Sequence, residues 1–279
     1  MKVVKIKTSD NFEIAATIFE PKISNQKLLL INSATGVRQQ TYYDFAKYFA
    51  ENGFTAITYD YRGISLSKPE KMKGFKASMR IWGNTDYKAV TDFIKEKYPH
   101  HQKFLIGHSV GALILGMNQD SEIFQQFCFV ATQNTYFGHL KPKIQLLSLV
   151  GFGFYQPIFS NILGYFKTYF VNLGESLPKG VANDWRTLLM NRKSINKLLE
   201  KTPNFSKNLT QEVLYLHLED DEWITEKGMK QLMTETFPNM KPTYRTIKVS
   251  ESNGEEIGHI NFFRAKHSKL WEIVLNWLK

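Results

Sequence analysis

The spacing of apolar residues changes repeatedly along the chain, and each change marks an element. Residues 3–7 and 12–19 alternate as half-buried strands do, and Thr8–Ser9–Asp10–Asn11 between them reads as the turn of an opening hairpin. KLLLI at 27–31 is apolar throughout, the pattern of a strand covered on both faces. Residues 42–51 carry Phe45, Tyr48 and Phe49 at helical spacing and stop at Asn52–Gly53. FTAITY at 54–59 is the next strand, and 84–98 is a helix with Tyr87, Val90, Phe93 and Ile94 on one face. A short apolar strand at 103–106, a buried helix at 110–117 and a strand at 124–132 follow. The rhythm breaks from about 137 to 209. It resumes with a strand at 213–218, a helix at 226–237, a strand at 244–249 and a closing helix at 266–278. Strands alternating with helices after a leading hairpin predict an α/β fold, with a mostly parallel central sheet and helices on both faces. The core is then 1–137 with 210–279. Residues 138–209 are inserted as a helical lid or cap at the carboxyl end of a strand, where open sheets bind ligands.

Within the insertion, 144–166 carries no charged residue and is long enough to span a bilayer. Gln145, Gln156, Pro157, Asn161 and the glycines suit instead two short apolar helices over a pocket, with peripheral contact at a membrane surface as the alternative. Hydrophobic residues at 43% and charged ones at 22% are ordinary for a globular chain. The net charge of +10 favours anionic partners or membranes through long-range attraction. No zinc-finger spacing or RNA-binding aromatic signature accompanies it, so nucleic acid is not an expected partner. Arg62, Lys68, Lys71, Lys73, Lys76 and Arg80 face only Glu70 and read as a solvated loop, with an Asp60–Arg62 salt bridge bracing its start. The single cysteine, Cys128, sits in the apolar run FCFV and reads as a core residue. The first residues alternate rather than form an apolar run, so they do not read as a signal peptide, and the expected compartment is the reducing cytoplasm.

The stretch that could carry chemistry is Gly107–His108–Ser109–Val110–Gly111, between a strand and a helix. A serine there must take a sharp, strained turn, and glycines two positions to either side remove Cβ atoms that would collide. His108 reads as support for the turn. Such a hydroxyl is a feeble nucleophile until a base takes its proton and a third group orients the base. The chain order to look for is serine, acid, histidine. An acid belongs just beyond the strand at 213–218, where Glu219–Asp220–Asp221–Glu222 stands, and a histidine belongs after the last strand, where His259 follows Gly258. No His, Cys, Asp or Glu group shows metal-ligand spacing and no glycine-rich phosphate loop is present, so no cofactor is expected.

With INSATGV at 31–37, YDYRGISLS at 59–67, GHSVG at 107–111, DDEWI at 220–224 and IGH at 257–259, the chain resembles the α/β-hydrolases, in the branch of serine aminopeptidase-like and monoacylglycerol-lipase-like proteins. The resemblance implies the α/β-hydrolase fold and a cofactor-free serine hydrolase acting on a small-molecule ester or other acyl substrate. The acid in that branch is the aspartate of an Asp-x-x-Val/Ile element. Asp221 with Ile224 fits it, and Asp220 is the alternative. By position the oxyanion donors are the backbone N–H groups of Ala34 and Val110. The usual His-Gly is Asn32–Ser33 here, which leaves Ser33 or Thr35 as alternatives to Ala34, and Ser65 replaces a glycine often found after Arg62–Gly63. Peptidase, amidase or acyltransferase chemistry uses the same triad, and a non-catalytic binding module on the same scaffold is the alternative from another class.

Overall fold

A computed structural model of the chain describes residues 1–168 and 174–278; residues 169–173 of the expected insertion, and Lys279, lie outside the described residues. The opening hairpin pairs β1 (Lys2–Lys7) with β2 (Glu13–Phe19), antiparallel. Six further strands join them: β3 (Lys27–Asn32), β4 (Phe54–Tyr59), β5 (Gln102–His108), β6 (Gln126–Val130), β9 (Glu212–Leu218) and β10 (Lys241–Ile247). The spatial order is β1-β2-β4-β3-β5-β6-β9-β10, and β2 is antiparallel to both its neighbours while every pairing from β4 onward is parallel. The runs without alternation occupy the centre: every residue of β4 is buried, as is β3 after its first residue. The sheet order reverses around β3 and β5, the switch point at which open sheets form a crevice beyond the strands' carboxyl ends.

Helices α1 (Tyr43–Glu51), α2 (Met79–Ile81), α3 (Lys88–Lys97) and α4 (Val110–Leu113) fall between the first strands. A π-helical stretch, Trp82–Tyr87, joins α2 to α3, so the helix expected at 84–98 begins earlier and widens at its start. The helix expected at 110–117 is also divided: α4 tightens into a 3-10 turn at Ile114–Met117. There the Gly116 carbonyl accepts from Phe205 N at 2.7 Å, a tertiary bond that competes with the helical ladder.

Between β6 and β9 lie α5 (Pro142–Ser148), α6 (Gln156–Leu163), a small two-stranded ribbon of β7 (Tyr165–Phe166) and β8 (Leu177–Pro178), α7 (Lys179–Met190) and α8 (Ile195–Leu199). The expected pair of short helices is one continuous helix, Pro142–Leu163, because a π-helical stretch at Leu149–Tyr155 joins α5 to α6. Pro157 has no N–H to donate and its ring crowds the preceding turn; a widened turn just upstream accommodates both without breaking the helix. Gly164 closes it in the left-handed conformation (φ 80°). After β9 come α9 (Glu226–Glu235) and, beyond β10, α10 (Trp271–Trp277), which a 3-10 segment at Ala265–Leu270 precedes in place of the first half of the expected closing helix.

Candidate active site

Ser109 stands between β5 and α4 at φ 52° and ψ −119°, a strained conformation for a residue with a Cβ. The turn is held from both sides: Ser109 N donates to Val130 O at 3.0 Å, and Thr132 Oγ1 donates to Ser109 O at 2.9 Å. A Cβ on Gly107 would fall 2.6 Å from Ala112 Cα, and one on Gly111 would fall 2.3 Å from the Asn32 carbonyl oxygen. The two glycines therefore let α4 start directly against β5 and the end of β3. The Asn32 side chain completes that junction, donating to Gly111 O at 3.1 Å and accepting from Tyr59 Oη at 2.9 Å.

Asp221, in the turn after β9, is buried, and its Oδ2 lies 2.7 Å from His259 Nδ1. Burial pushes the Asp221 carboxyl up, but the facing imidazole, with hydrogen bonds from it and from Trp223 N–H, outweighs burial and leaves it below the ordinary aspartate value. The neighbouring Asp220 has a different task. Its two oxygens accept from Ile257 N at 2.8 Å and Gly258 N at 2.9 Å, fixing the loop that carries His259. Ser109 and His259 line one cavity of about 80 Å³ with Thr35, Leu113, Trp185 and Ile224. The serine hydroxyl makes no hydrogen bond among the described residues, and none joins it to the imidazole.

This serine turn lies at the carboxyl edge of the sheet whose strand order was given above, and whole-chain superposition decides what that sheet is. Est1E from Butyrivibrio proteoclasticus, solved with ferulic acid bound, matches with a TM-score of 0.66 at 16% identity, over 99% of this chain and 97% of that one. The fold is that of the α/β-hydrolases. An esterase from Exiguobacterium antarcticum shares this α/β-hydrolase fold at TM-score 0.61 and 13% identity over 99% of each chain. An alpha-beta serine hydrolase homologue from Coxiella burnetii does so at 0.57 and 13%, over 100% of this chain and 97% of that one. Residues 24–127 match the family model described as serine aminopeptidase, S33. That stretch contains the INSATGV, YDYRGISLS and GHSVG motifs and Ser109, and it ends before Asp221 and His259. No curated protein matches the sequence significantly.

Within this α/β-hydrolase frame several side chains depart from the sequence expectation. The Ala34 N–H, expected to face an oxyanion, donates to the buried Tyr42 hydroxyl at 2.8 Å. Val110 N–H, at the first residue of α4, and Thr35 N–H have no acceptor among the described residues. His108 does more than support the turn: its Nδ1 lies 2.8 Å from Tyr42 Oη and its Nε2 lies 2.8 Å from the backbone oxygen of His259. A carbonyl only accepts, so Nε2 carries the proton and Tyr42 donates to Nδ1. A buried chain of hydrogen bonds thus runs from Ala34 through Tyr42 and His108 to His259. Nothing in the spacing of Tyr42 and His108 announces it. Arg62 does not bridge to Asp60. It is buried and pairs through Nε with Asp86 Oδ1 at 2.7 Å and through its terminal nitrogens with Asp10. Asp60 instead accepts from Gln39 N and Nε2, each at 2.8 Å. Among the described residues no group of three His, Cys, Asp or Glu side chains is placed to hold a metal ion.

Proposed function

We propose that the protein is a serine hydrolase cleaving carboxylic esters through an acyl-enzyme. The observation that carries this reading is the strained Ser109 sharing one cavity with His259, whose Nδ1 meets the buried Asp221 at 2.7 Å. In this reading Asp221 holds the Nδ1–H tautomer, so that Nε2 is free to take the Ser109 proton once substrate draws the two together. Ser109 Oγ attacks the carbonyl carbon, and its proton passes to His259 and then to the departing alkoxide. Water, deprotonated by the same imidazole, releases the acid. Val110 N–H meets the developing oxyanion. Thr35 N–H, in the same loop as Ala34 and on the cavity wall, replaces Ala34 as the second donor, because the Ala34 N–H is committed to Tyr42.

The insertion, residues 138–209, acts as the lid: Trp185 on α7 lines the cavity and its Nε1 donates to Thr35 Oγ1 at 2.8 Å. Apolar walls and a volume of about 80 Å³ suit a short apolar acyl group. We place the enzyme in the cytoplasm, where a single cysteine stays reduced.

The test is a chain-length series of aryl esters, beside aminoacyl amides, on wild type and Ser109→Ala. Loss of turnover on the order of a millionfold in the variant is expected, and undiminished turnover excludes the mechanism. In buffer, kcat/KM is expected to fall by at least about tenfold from butyrate to decanoate esters. A second reading, a binding module with an idle serine, draws on the missing Ser109–His259 hydrogen bond. Failure of Ser109 to react with a fluorophosphonate at the rate of an active esterase would favour it.

A further inference from the structure

The helix Pro142–Leu163 is built inside out. Its inward stripe, at every fourth residue, is Ile144, Ser148, Phe152, Gln156 and Ser160, all buried, and three of the five are polar. Its outward stripe at the same interval is Leu146, Val150, Phe154, Ile158 and Ile162, each between 54% and 71% exposed. A helix whose outer face meets water carries the opposite arrangement, with apolar residues inward and charges outward. Rotation does not relieve the mismatch, because the inner stripe is tied to α7: Gln156 Nε2 donates to Asn183 Oδ1 at 2.9 Å, the Phe152 carbonyl accepts from Arg186 Nε at 3.1 Å, and the Phe152 ring stacks on Trp185. For the same reason the helix does not span a bilayer, although its length and composition would allow it. One side faces protein and only the other is available.

Charge says what the available side fits. At the amino end stand exposed Lys141 and Lys143, the latter paired with Glu222. At the carboxyl end Lys167 is exposed, and the Lys73 side chain packs against Gly164, so the basic loop with Lys71, Lys73 and Lys76 lies beside that end. None of these last four forms an ion pair among the described residues. The carboxyl end of the apolar stripe is thus cationic, and the amino end carries Lys141, whose Nζ donates to Asp221 O at 3.3 Å, beside the Lys143–Glu222 pair. Two copies laid stripe to stripe, parallel or antiparallel, would set lysines against lysines. An anionic lipid surface meets both requirements at once: acyl chains take the stripe, and headgroup phosphates take the flanking lysines, whose stems reach along apolar surface.

We propose that this helix docks the protein on an anionic phospholipid bilayer, lying in the plane of the interface with its outer stripe buried among the acyl chains. The inference stands apart from the hydrolase reading, and its readout is binding. Full-length protein is floated with phosphatidylcholine vesicles, with and without phosphatidylglycerol. Expected is flotation with the anionic vesicles that weakens as salt is raised. Phe154→Gln with Ile158→Gln, at exposed positions, lowers the partition coefficient by about tenfold or more, and Leu146→Gln with Ile162→Gln does the same. Lys71→Gln, Lys73→Gln and Lys76→Gln together lower it by about tenfold for anionic vesicles and leave the melting temperature unchanged. Wild type that does not float, or floats equally whatever is changed, overturns the proposal. So does a dimer in sedimentation velocity that the Phe154→Gln, Ile158→Gln protein loses, since the stripe then belongs to a second copy.

Discussion

At the scale of single residues, His108 and Tyr42 form the buried junction between the loop after β3 and the loop that carries His259. Burial, reinforced by the facing His259, pushes the His108 imidazole down to about 3, so it stays neutral in the folded protein at any ordinary pH. In the unfolded chain a histidine takes up a proton near pH 6.5. Between those values the unfolded state binds the extra proton, so the His108 contribution is complete above about pH 6.5 and is lost as pH falls toward 3. Urea unfolding of wild type and His108→Gln checks this: the difference between them is expected to shrink by about 2–3 kcal/mol from pH 7 to pH 4.5. A constant difference would contradict the buried neutral imidazole. Tyr42→Phe tests the other end of the chain. It strands the Ala34 N–H and His108 Nδ1, at an expected cost of about 2–3 kcal/mol. With Thr35 as the second oxyanion donor, kcat on a short aryl ester changes by less than about tenfold; a rise well beyond that would return Ala34 to the role its position in the loop suggests.

At the scale of elements, the junction of β3, β5 and α4 rests on backbones approaching too closely for side chains. Gly111 illustrates it, since its added Cβ would overlap the Asn32 carbonyl at 2.3 Å and neither backbone is free to retreat. Gly111→Ala is expected to destabilise by about 3 kcal/mol, read as a drop in melting temperature, with activity falling because the displaced α4 carries Val110 and follows Ser109. An unchanged melting temperature would mean that the helix can shift without strain. The two π-helical stretches are the other element-scale finding. The one at Leu149–Tyr155 lets a proline sit inside a continuous helix, and the wider turn helps residues four apart stay in register along one side.

On the scale of the whole molecule, the net charge of +10 is unevenly used. Arg62, which looked like the first member of a solvated basic run, is an interior tie between the opening hairpin and the helix containing Asp86. Burial pushes its partner Asp86 up while the guanidinium beside it pulls it down, so removing Asp86 leaves the buried Arg62 charge with Asp10 as its remaining carboxylate partner. Lys68 of that run pairs with Glu175 at 3.0 Å, while Lys71, Lys73 and Lys76 are exposed, Lys73 lying against Gly164 at the end of the apolar helix. Two sides of the insertion are thus distinct: Trp185 lines the cavity that holds Ser109 and His259, and the outward stripe of Pro142–Leu163 is covered by no described part of the chain.

Those contrasts separate what the sequence by itself determined from what only tertiary structure decided. Strand and helix alternation was legible because periodicity is written locally, and so was the serine turn, marked by glycines two residues to either side of Ser109, although the Asn32 carbonyl that Gly111 makes room for was not. The order of Ser109, the acidic cluster and His259 could be read as well, since each follows a recognisable strand. The separate partners of Asp221 and Asp220, the engagement of Ala34 by Tyr42, the partners of Arg62 and the inverted faces of Pro142–Leu163 could not. Each depends on which groups from beyond the local element, Tyr42 eight residues from Ala34 and the others tens of residues away, come to occupy the space beside it. Apolar content and helical spacing say that a face exists; only the packing of the remaining chain decides whether that face turns inward or out.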